Sequence, residues 1–184
     1  MPILGTIASQ VPANLPTNSF ESIATYSYGA GGYGQNVTFS NIPQTYKHLQ
    51  LRINQSTSAG NNLRLRINDD SNANYSGHQL TAEGSTVFSS YQSASYSWLY
   101  IGYSVGLQGT PHMTVLDVLD YTNTSKYTTT RSLEANPMTD SSGWLGLWSG
   151  SWKNTAAVTS LTVYIPSGYY TEYSSFALYG IKGE

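Results

Sequence analysis

The sequence predicts an all-β fold, an antiparallel and jelly-roll-like β-sandwich that follows an extended N-terminal arm. Apolar and polar residues alternate in short runs along most of the chain, and clusters of Gly, Asn, Ser, Pro or Asp separate these runs. No segment places apolar residues at i, i+3, i+4 and i+7 between helix caps. Because about ten or eleven strands fit within 184 residues, we expect two packed sheets in one domain.

Residues 1–18 form the predicted arm, and residues 19–184 form the predicted sandwich domain. The arm contains three prolines and no sustained period. Ordering it alone costs about 1–2 kcal/mol per residue in backbone entropy, so it either frays or lies along a neighbouring surface. In the second case its interface residues are the apolar ones, which are Ile3, Leu4, Ile7, Val11 and Leu15.

Two strands are clearest, at 49–53 and 63–67, because apolar residues occupy every second position there. Further strands are predicted at 20–28, 36–40, 74–80, 97–104, 112–121, 126–134, 143–149, 158–165 and 175–181. The side chains expected to face the core are Leu49, Leu51, Ile53, Leu63, Leu65, Ile67, Val163, Ile165, Phe176 and Leu178.

Charged residues are scarce, with 8 Lys and Arg, 10 Asp and Glu, and a net charge of −2. Eight scattered cations do not neutralise a run of phosphates, so nucleic acid is not an expected partner. No stretch approaches the roughly 20 apolar residues of a membrane span, and no Sec-type signal is visible. The lack of cysteine fits a chain that folds in the cytosol and leaves the cell inside an assembled particle.

Gly29, Gly31 and Gly34 spell the G-x-G-x-x-G pattern of dinucleotide-binding loops. That pattern binds a pyrophosphate only where a helix follows, because the helix N-terminus receives the anion. Here a strand follows, so we expect a flexible loop that uses positive φ angles.

Asp70, Asn72 and Asn74 have the spacing that opens a calcium loop. Tyr75 stands where that loop requires glycine, and Thr81 stands where it requires a bidentate glutamate. We therefore predict a turn rich in Asn and Asp before a strand, with an irregular calcium site as the alternative.

No catalytic, cofactor-binding or metal-binding residue is predicted. His48, His78 and His112 are isolated from one another and from other metal ligands in the sequence. Asp117 and Asp120 are the nearest to a carboxylate pair, but their odd spacing points them to opposite faces of a strand. With no G-x-S-x-G elbow and no cysteine to supply a nucleophile, we expect no cofactor and no enzymatic activity.

The segment WLGLWSGSW places Trp144, Trp148 and Trp152 at even spacing. On one continuous strand the three rings share a face, which suits stacking on sugar rings or contact with a partner. In the alternative, which we favour, two short strands flank Gly150 and carry the tryptophans into the core.

Phrases spread over most of the chain carry a resemblance; they are ILGTIASQ, FESIATYSYGAGG, IPQTYKHLQLRI, LDYTNTSKYTTTRSLEA, SGSWKNTAAVTSLTV and FALYGIKGE. They resemble a family of small tailed-phage structural proteins, common among phages of aquatic bacteria including cyanophages. The resemblance implies a β-sandwich virion protein without enzymatic activity, either a capsid decoration (cement) protein or a tail-fibre component. It carries over no catalytic or ligand residue.

We therefore expect a capsid cement protein on the virion surface that binds the major capsid protein and copies of itself, as a homotrimer. A hydroxyl-rich sandwich, a proline-spaced arm and a chain too short for both a fibre shaft and a head favour this role. The alternative is a tail-fibre or receptor-binding subunit that recognises host-surface glycans.

Overall fold

A computed structural model describes residues 19–31, 33–105, 110–136 and 143–183. The predicted arm, with Ile3, Leu4, Ile7, Val11 and Leu15, lies outside the described residues. None of the described residues is helical, and these ranges contain no helix long and apolar enough to cross a membrane.

The described residues form strands β1 (Phe20–Ser27), β2 (Asn36–Phe39), β3 (His48–Gln55), β4 (Gly60–Ile67), β5 (Tyr75–Glu83), β6 (Thr86–Tyr96), β7 (Leu99–Val105), β8 (His112–Leu119), β9 (Thr128–Asn136), β10 (Trp144–Trp152), β11 (Leu161–Tyr164) and β12 (Ser175–Ile181).

These strands make two antiparallel sheets. The large sheet has the order β1-β12-β3-β8-β9-β10-β5-β6, and the small sheet has the order β2-β11-β4-β7. Buried residues of both sheets share one core cluster, and β7 of the small sheet lies over β9 and β10 of the large sheet. The predicted all-β sandwich is confirmed, while its jelly-roll-like connectivity stays a prediction.

The core lies between the sheets, and all the residues predicted to face it are buried. Leu178, Leu51 and Leu116 stand in direct register on β12, β3 and β8. The same row continues to Ser132 on β9 and Trp148 on β10. The inner side of the large sheet is therefore aliphatic towards β12 and becomes polar and aromatic towards β10.

Two elements differ from the expected strands. Strand β6 is not predicted from the sequence, because it is an exposed edge strand rich in Ser and Tyr. Of the described residues of this strand, Gln92 alone is buried. Strand β10 is continuous through Gly150, in place of two short strands. A Cβ at Gly150 would lie 2.7 Å from Thr130 Oγ1 and 2.8 Å from Leu99 Cδ2, so this position faces a crowded interior.

The glycine-rich segment after β1 is a loop, as expected. Gly31 has a φ of 72°, a conformation that glycine adopts without steric cost. Strand β2 is the next regular element among the described residues, in the position where a dinucleotide-binding loop has a helix.

Candidate functional site

Strand β9 buries five polar side chains and exposes both of its apolar ones, Leu133 and Ala135. Leu133, in the middle of the strand, is 54% exposed. A strand with one solvated face normally places apolar residues inside and polar residues outside, so this strand inverts the usual pattern. Its buried residues are Thr128, Thr130, Ser132, Glu134 and Asn136.

The neighbouring strands continue the inversion as aligned rows on the outside of the large sheet. Cross-strand register places Val115, Leu133, Leu147 and Leu80 side by side on β8, β9, β10 and β5. A second row contains Met113, Ala135, Leu145, Ala82 and Val87 on β8, β9, β10, β5 and β6. We call the residues of these two rows the apolar outer face.

The apolar outer face is accessible in the isolated chain. Its leucines are each 51–54% exposed, and Met113 and Val87 are 59% and 67% exposed. A cleft of about 210 Å³ runs between the side chains at its centre. Single exposed apolar residues are ordinary, whereas a contiguous patch marks a surface that interacts with a partner.

Charged residues border the apolar outer face. In the next row, Arg131 Nε lies 2.9 Å from Asp117 Oδ2, and Gln50 Nε2 donates to Asp117 Oδ1 at 2.9 Å. Arg52 stands beside Val115 in the first row and donates from Nε to Gln50 Oε1. An apolar centre with a polar rim is the usual composition of a protein interface.

Beneath the apolar outer face, the carboxyl group of Glu134 is buried between the sheets. The residue is 2% exposed. Trp144 Nε1 donates to Oε1 at 2.5 Å, Trp148 Nε1 donates to the same oxygen at 2.9 Å, and the backbone N–H of Tyr103 donates to Oε2. The carboxyl group thus joins β9 and β10 of the large sheet to β7 of the small sheet.

Glycines on both sides make room for this carboxyl group. A Cβ at Gly102 on β7 would lie 2.5 Å from Glu134 Oε2, and a Cβ at Gly146 on β10 would lie 2.5 Å from Oε1. These distances are shorter than van der Waals contact, so any larger side chain at either position displaces the carboxyl group.

Burial raises the pKa of Glu134 to about 7, although hydrogen bonds from Tyr103, Trp144 and Trp148 favour the ionised form. None of the described lysines and arginines forms an ion pair with it. A second buried polar group lies nearby on β8, where His112 Nε2 is 2.8 Å from Asn136 Nδ2. Burial lowers the pKa of His112 to about 4.

The three tryptophans named from the sequence share one face of β10, and that face points inward. Trp148 is 3% exposed and Trp152 is 1% exposed, so neither offers a ring for a sugar to stack on. Their indole N–H groups donate to Glu134 and to Asp70 Oδ2, the second at 2.8 Å. Trp144 is half-buried and also donates to Glu134.

The Asp70 segment is the turn that the sequence predicts. Asp70 Oδ1 accepts from the backbone N–H of Asn72 at 2.9 Å, and Oδ2 accepts from Asn74 Nδ2 at 2.8 Å. Burial opposes ionisation, but the hydrogen bonds from Asn74, Asn72 and Trp152 together lower the pKa of Asp70 to about 2. Both carboxylate oxygens are therefore already engaged by donors within the chain.

Among the other titratable residues considered from the sequence, His48 and Asp120 are in contact, because His48 Nδ1 accepts from the backbone N–H of Asp120 at 2.9 Å. Asp120 follows β8 in a turn with a φ of 46°, where Lys47 and Lys126 form ion pairs with it. The hydrogen bond from Lys126, followed by that from Lys47, lowers the pKa of Asp120 to about 2. Asp117 is engaged by Arg131 on the outer side of the sheet.

Neither Glu134 nor the apolar outer face is among the residues predicted from the sequence. One signal was available, because Ser132 and Glu134 alternate with Leu133 and Ala135 in the segment SLEA. That alternation indicates a strand with one polar face and one apolar face. It does not say which face is inside, and the usual assignment puts Leu133 in the core.

No protein-family model matches the chain, and no curated protein matches it. Among solved structures it is similar to the alginate lyase Aly36B. A double mutant in complex with alginate tetrasaccharide has a TM-score of 0.32 at 11% identity, over 90% of this chain and 98% of that chain. A second structure of the same lyase has a TM-score of 0.30 at 13% identity, again over 90% and 98%.

This comparison corrects one expectation. The prediction that the chain is not an enzyme is wrong, because the solved structures similar to it are those of a lyase. With TM-scores of 0.29 to 0.32, the likeness supplies no substrate, mechanism or residue role for this chain. The resemblance to tailed-phage structural proteins is not tested by these matches.

Proposed function

We propose that this chain is a phage virion protein, a capsid cement protein that docks on shell subunits through the apolar outer face. One observation carries the proposal. Two apolar rows are aligned on the outside of the large sheet, and at their centre they lie on β9, whose buried side chains, among them Thr130, Ser132 and Glu134, are polar. Exposed leucines contribute no hydrophobic stabilisation to an isolated chain, whereas docking on a partner removes their apolar surface from water and gains that free energy.

The energetics favour a docking role only if the rows act together. Each leucine is already about half buried, so docking gains about half of the roughly 1.5–3 kcal/mol that complete burial of a leucine contributes. Association itself costs an estimated 4–15 kcal/mol in lost freedom. One leucine does not offset that cost, whereas the contiguous leucine, valine and methionine side chains together offset a cost in the lower half of that range.

The shell as partner is supported by the resemblance of the strand phrases to tailed-phage structural proteins. A cement protein holds neighbouring subunits together, and two linked contacts raise the effective concentration of the second. The apolar outer face provides one contact, and the predicted arm, residues 1–18, provides the other. The homotrimer and the capsid surface as location belong to the same proposal.

Copy number tests this function. In particles purified from the source of the chain, quantitative mass spectrometry should give a copy number comparable with that of the major capsid protein. A count equal to a small multiple of the tail symmetry would instead support the tail-fibre alternative. Absence from the particles would contradict both roles.

A further inference from the structure

The outer side of the small sheet carries a polar groove, which lies on the opposite side of the sandwich from the apolar outer face. Arg66, Thr162 and Thr38 stand in register on β4, β11 and β2. Asn36 and Tyr164 stand in the adjacent row on β2 and β11. All of these side chains point away from the core, because the alternating residues between them are buried.

The groove has the size and lining of a ligand site. Its volume is about 540 Å³, within the range of about 300–1,000 Å³ for small-molecule sites. Thr38 and Thr162 line the groove, and their Oγ1 atoms are 3.0 Å apart, so one hydroxyl donates to the other and one hydroxyl hydrogen stays available. Hydroxyl and amide groups also come from Gln35, Ser40 and Ser160.

Arg66 supplies a positive charge that is only weakly neutralised. Its guanidinium carbon lies 5.2 Å from the centre of the Tyr164 ring, which holds the side chain across the sheet. Its nearest carboxylate is that of Asp69, with Nη1 and Oδ1 3.7 Å apart, and the Asp69 side chain is 88% exposed. The interaction free energy of an exposed ion pair of this kind is small, so Asp69 leaves most of the Arg66 charge available to a ligand. The Nε atom of Arg66 makes no hydrogen bond to another described residue.

The ligand chemistry follows from this lining. Hydroxyl and amide groups match the hydroxyls of a sugar, and a guanidinium group matches a carboxylate through paired N–H donors. Arg64 stands beside Tyr164 in the adjacent row and adds a second cation to this side of the sheet. Nucleic acid is not a favoured ligand, because its affinity depends on neutralising a run of phosphates and the whole chain has eight Lys and Arg residues and a net charge of −2.

We propose that this groove binds an acidic saccharide, a sugar chain that carries carboxylates. Arg66 binds a carboxylate, and the hydroxyls of Thr38 and Thr162 bind sugar hydroxyls. The site is separate from the proposed docking face, so saccharide binding and shell docking can be tested independently.

Calorimetric titration of the full chain with tetragalacturonate and with tetragalactose tests the proposal. The acidic tetramer should bind, and its affinity should fall as salt is added, while the neutral tetramer should bind about tenfold more weakly or not at all. Equal binding of the two tetramers, or no binding of either, would overturn the acidic-saccharide site.

Arg66→Gln should weaken tetragalacturonate binding about tenfold or more. Arg52→Gln is the matched control, because Arg52 is also stacked over a tyrosine, Tyr179, at 4.8 Å, but on the large sheet. Both variants should keep the melting temperature within a few degrees of the parent, because each arginine lies on an outer face. Unchanged affinity of Arg66→Gln, or an equal loss in Arg52→Gln, would contradict the assignment.

Discussion

At the scale of single residues, Glu134 places a carboxyl group between the sheets with three N–H donors and no ion-pair partner among the described residues. Burial raises its pKa from the ordinary 4.5 to about 7. The native state therefore holds this proton more tightly than the unfolded chain does. The stabilisation is complete below the unfolded pKa and is lost as pH rises towards 7, a difference of about 3 kcal/mol at most.

Other groups titrate in the same experiment and must be separated from Glu134. The lowered pKa of His112, about 4, acts in the opposite direction, because its stabilisation is present at neutral pH and is lost as pH falls. The lowered pKa values of Asp70 and Asp120, both about 2, act only below pH 4. The net stability of the parent chain is thus a sum of opposing contributions.

Glu134→Gln isolates the carboxyl contribution. The amide keeps the shape of the side chain but does not titrate, so the melting temperature of the variant relative to the parent should rise between pH 5 and pH 7.5. Differential scanning calorimetry at several pH values measures this difference. Glu83→Gln, at an exposed position of β5, is the control for the removal of a carboxyl group. A constant difference between Glu134→Gln and the parent would show that Glu134 does not titrate in this range.

At the scale of strands, the continuity of β10 depends on a glycine that faces the interior. Gly150→Ala would bring a Cβ within 2.8 Å of Leu99 Cδ2 and within 2.7 Å of Thr130 Oγ1. Overpacking of this kind costs about 1–3 kcal/mol. Gly29→Ala is the control, because no atom lies within 4 Å of its Cβ position. Urea unfolding should show a loss of stability for Gly150→Ala alone, and equal stabilities would contradict the inward orientation of Gly150.

The strands also show which structural features can be predicted from a sequence of this composition. Strands β3 and β4 can be predicted from strict alternation, because apolar residues at every second position all lie on one face, and that face must be the buried one. Strand β6 offers no such pattern, because its side chains are mostly exposed on both faces. In β9 the alternation is present, but it does not show which face of the strand is buried, because Thr and Ser occur on either face. Leu133 suggests that its own face is buried, and in the structure that face is exposed.

The candidate site could not be predicted for a related reason. The apolar outer face consists of residues from five strands between residues 75 and 152, and only the cross-strand register brings Leu80 beside Leu147 and Leu133. The buried position of Glu134 likewise depends on Gly102 and Gly146, which lie on two other strands. A single sequence holds no local signal for such contacts.

At the scale of the whole molecule, the predicted arm and the sandwich should be separable. The core cluster of the described residues is drawn from Tyr28 to Leu178, all within the predicted sandwich domain. Deleting residues 1–18 should therefore leave the melting temperature nearly unchanged while binding to shells falls sharply. Calorimetry and co-sedimentation with shells measure the two effects. Full shell binding by the truncated chain would show that the arm has no part in docking.

The central claim for the whole molecule is that the apolar outer face is a docking surface. Leu133→Glu places a charge at its centre, and Thr129→Glu places the same charge four residues away on the same face of β9, beyond Arg131. Both positions are exposed, so both variants should fold. A charge buried without a partner in an interface costs several kcal/mol, whereas an exposed charge costs little.

The most direct measurement is rebinding of the two variants to shells from which the chain has been stripped. Leu133→Glu should bind about a hundredfold more weakly than the parent, while Thr129→Glu should bind as the parent does. If Leu133→Glu rebinds with the affinity of the parent, or if both variants lose affinity equally, the apolar outer face is not the docking surface.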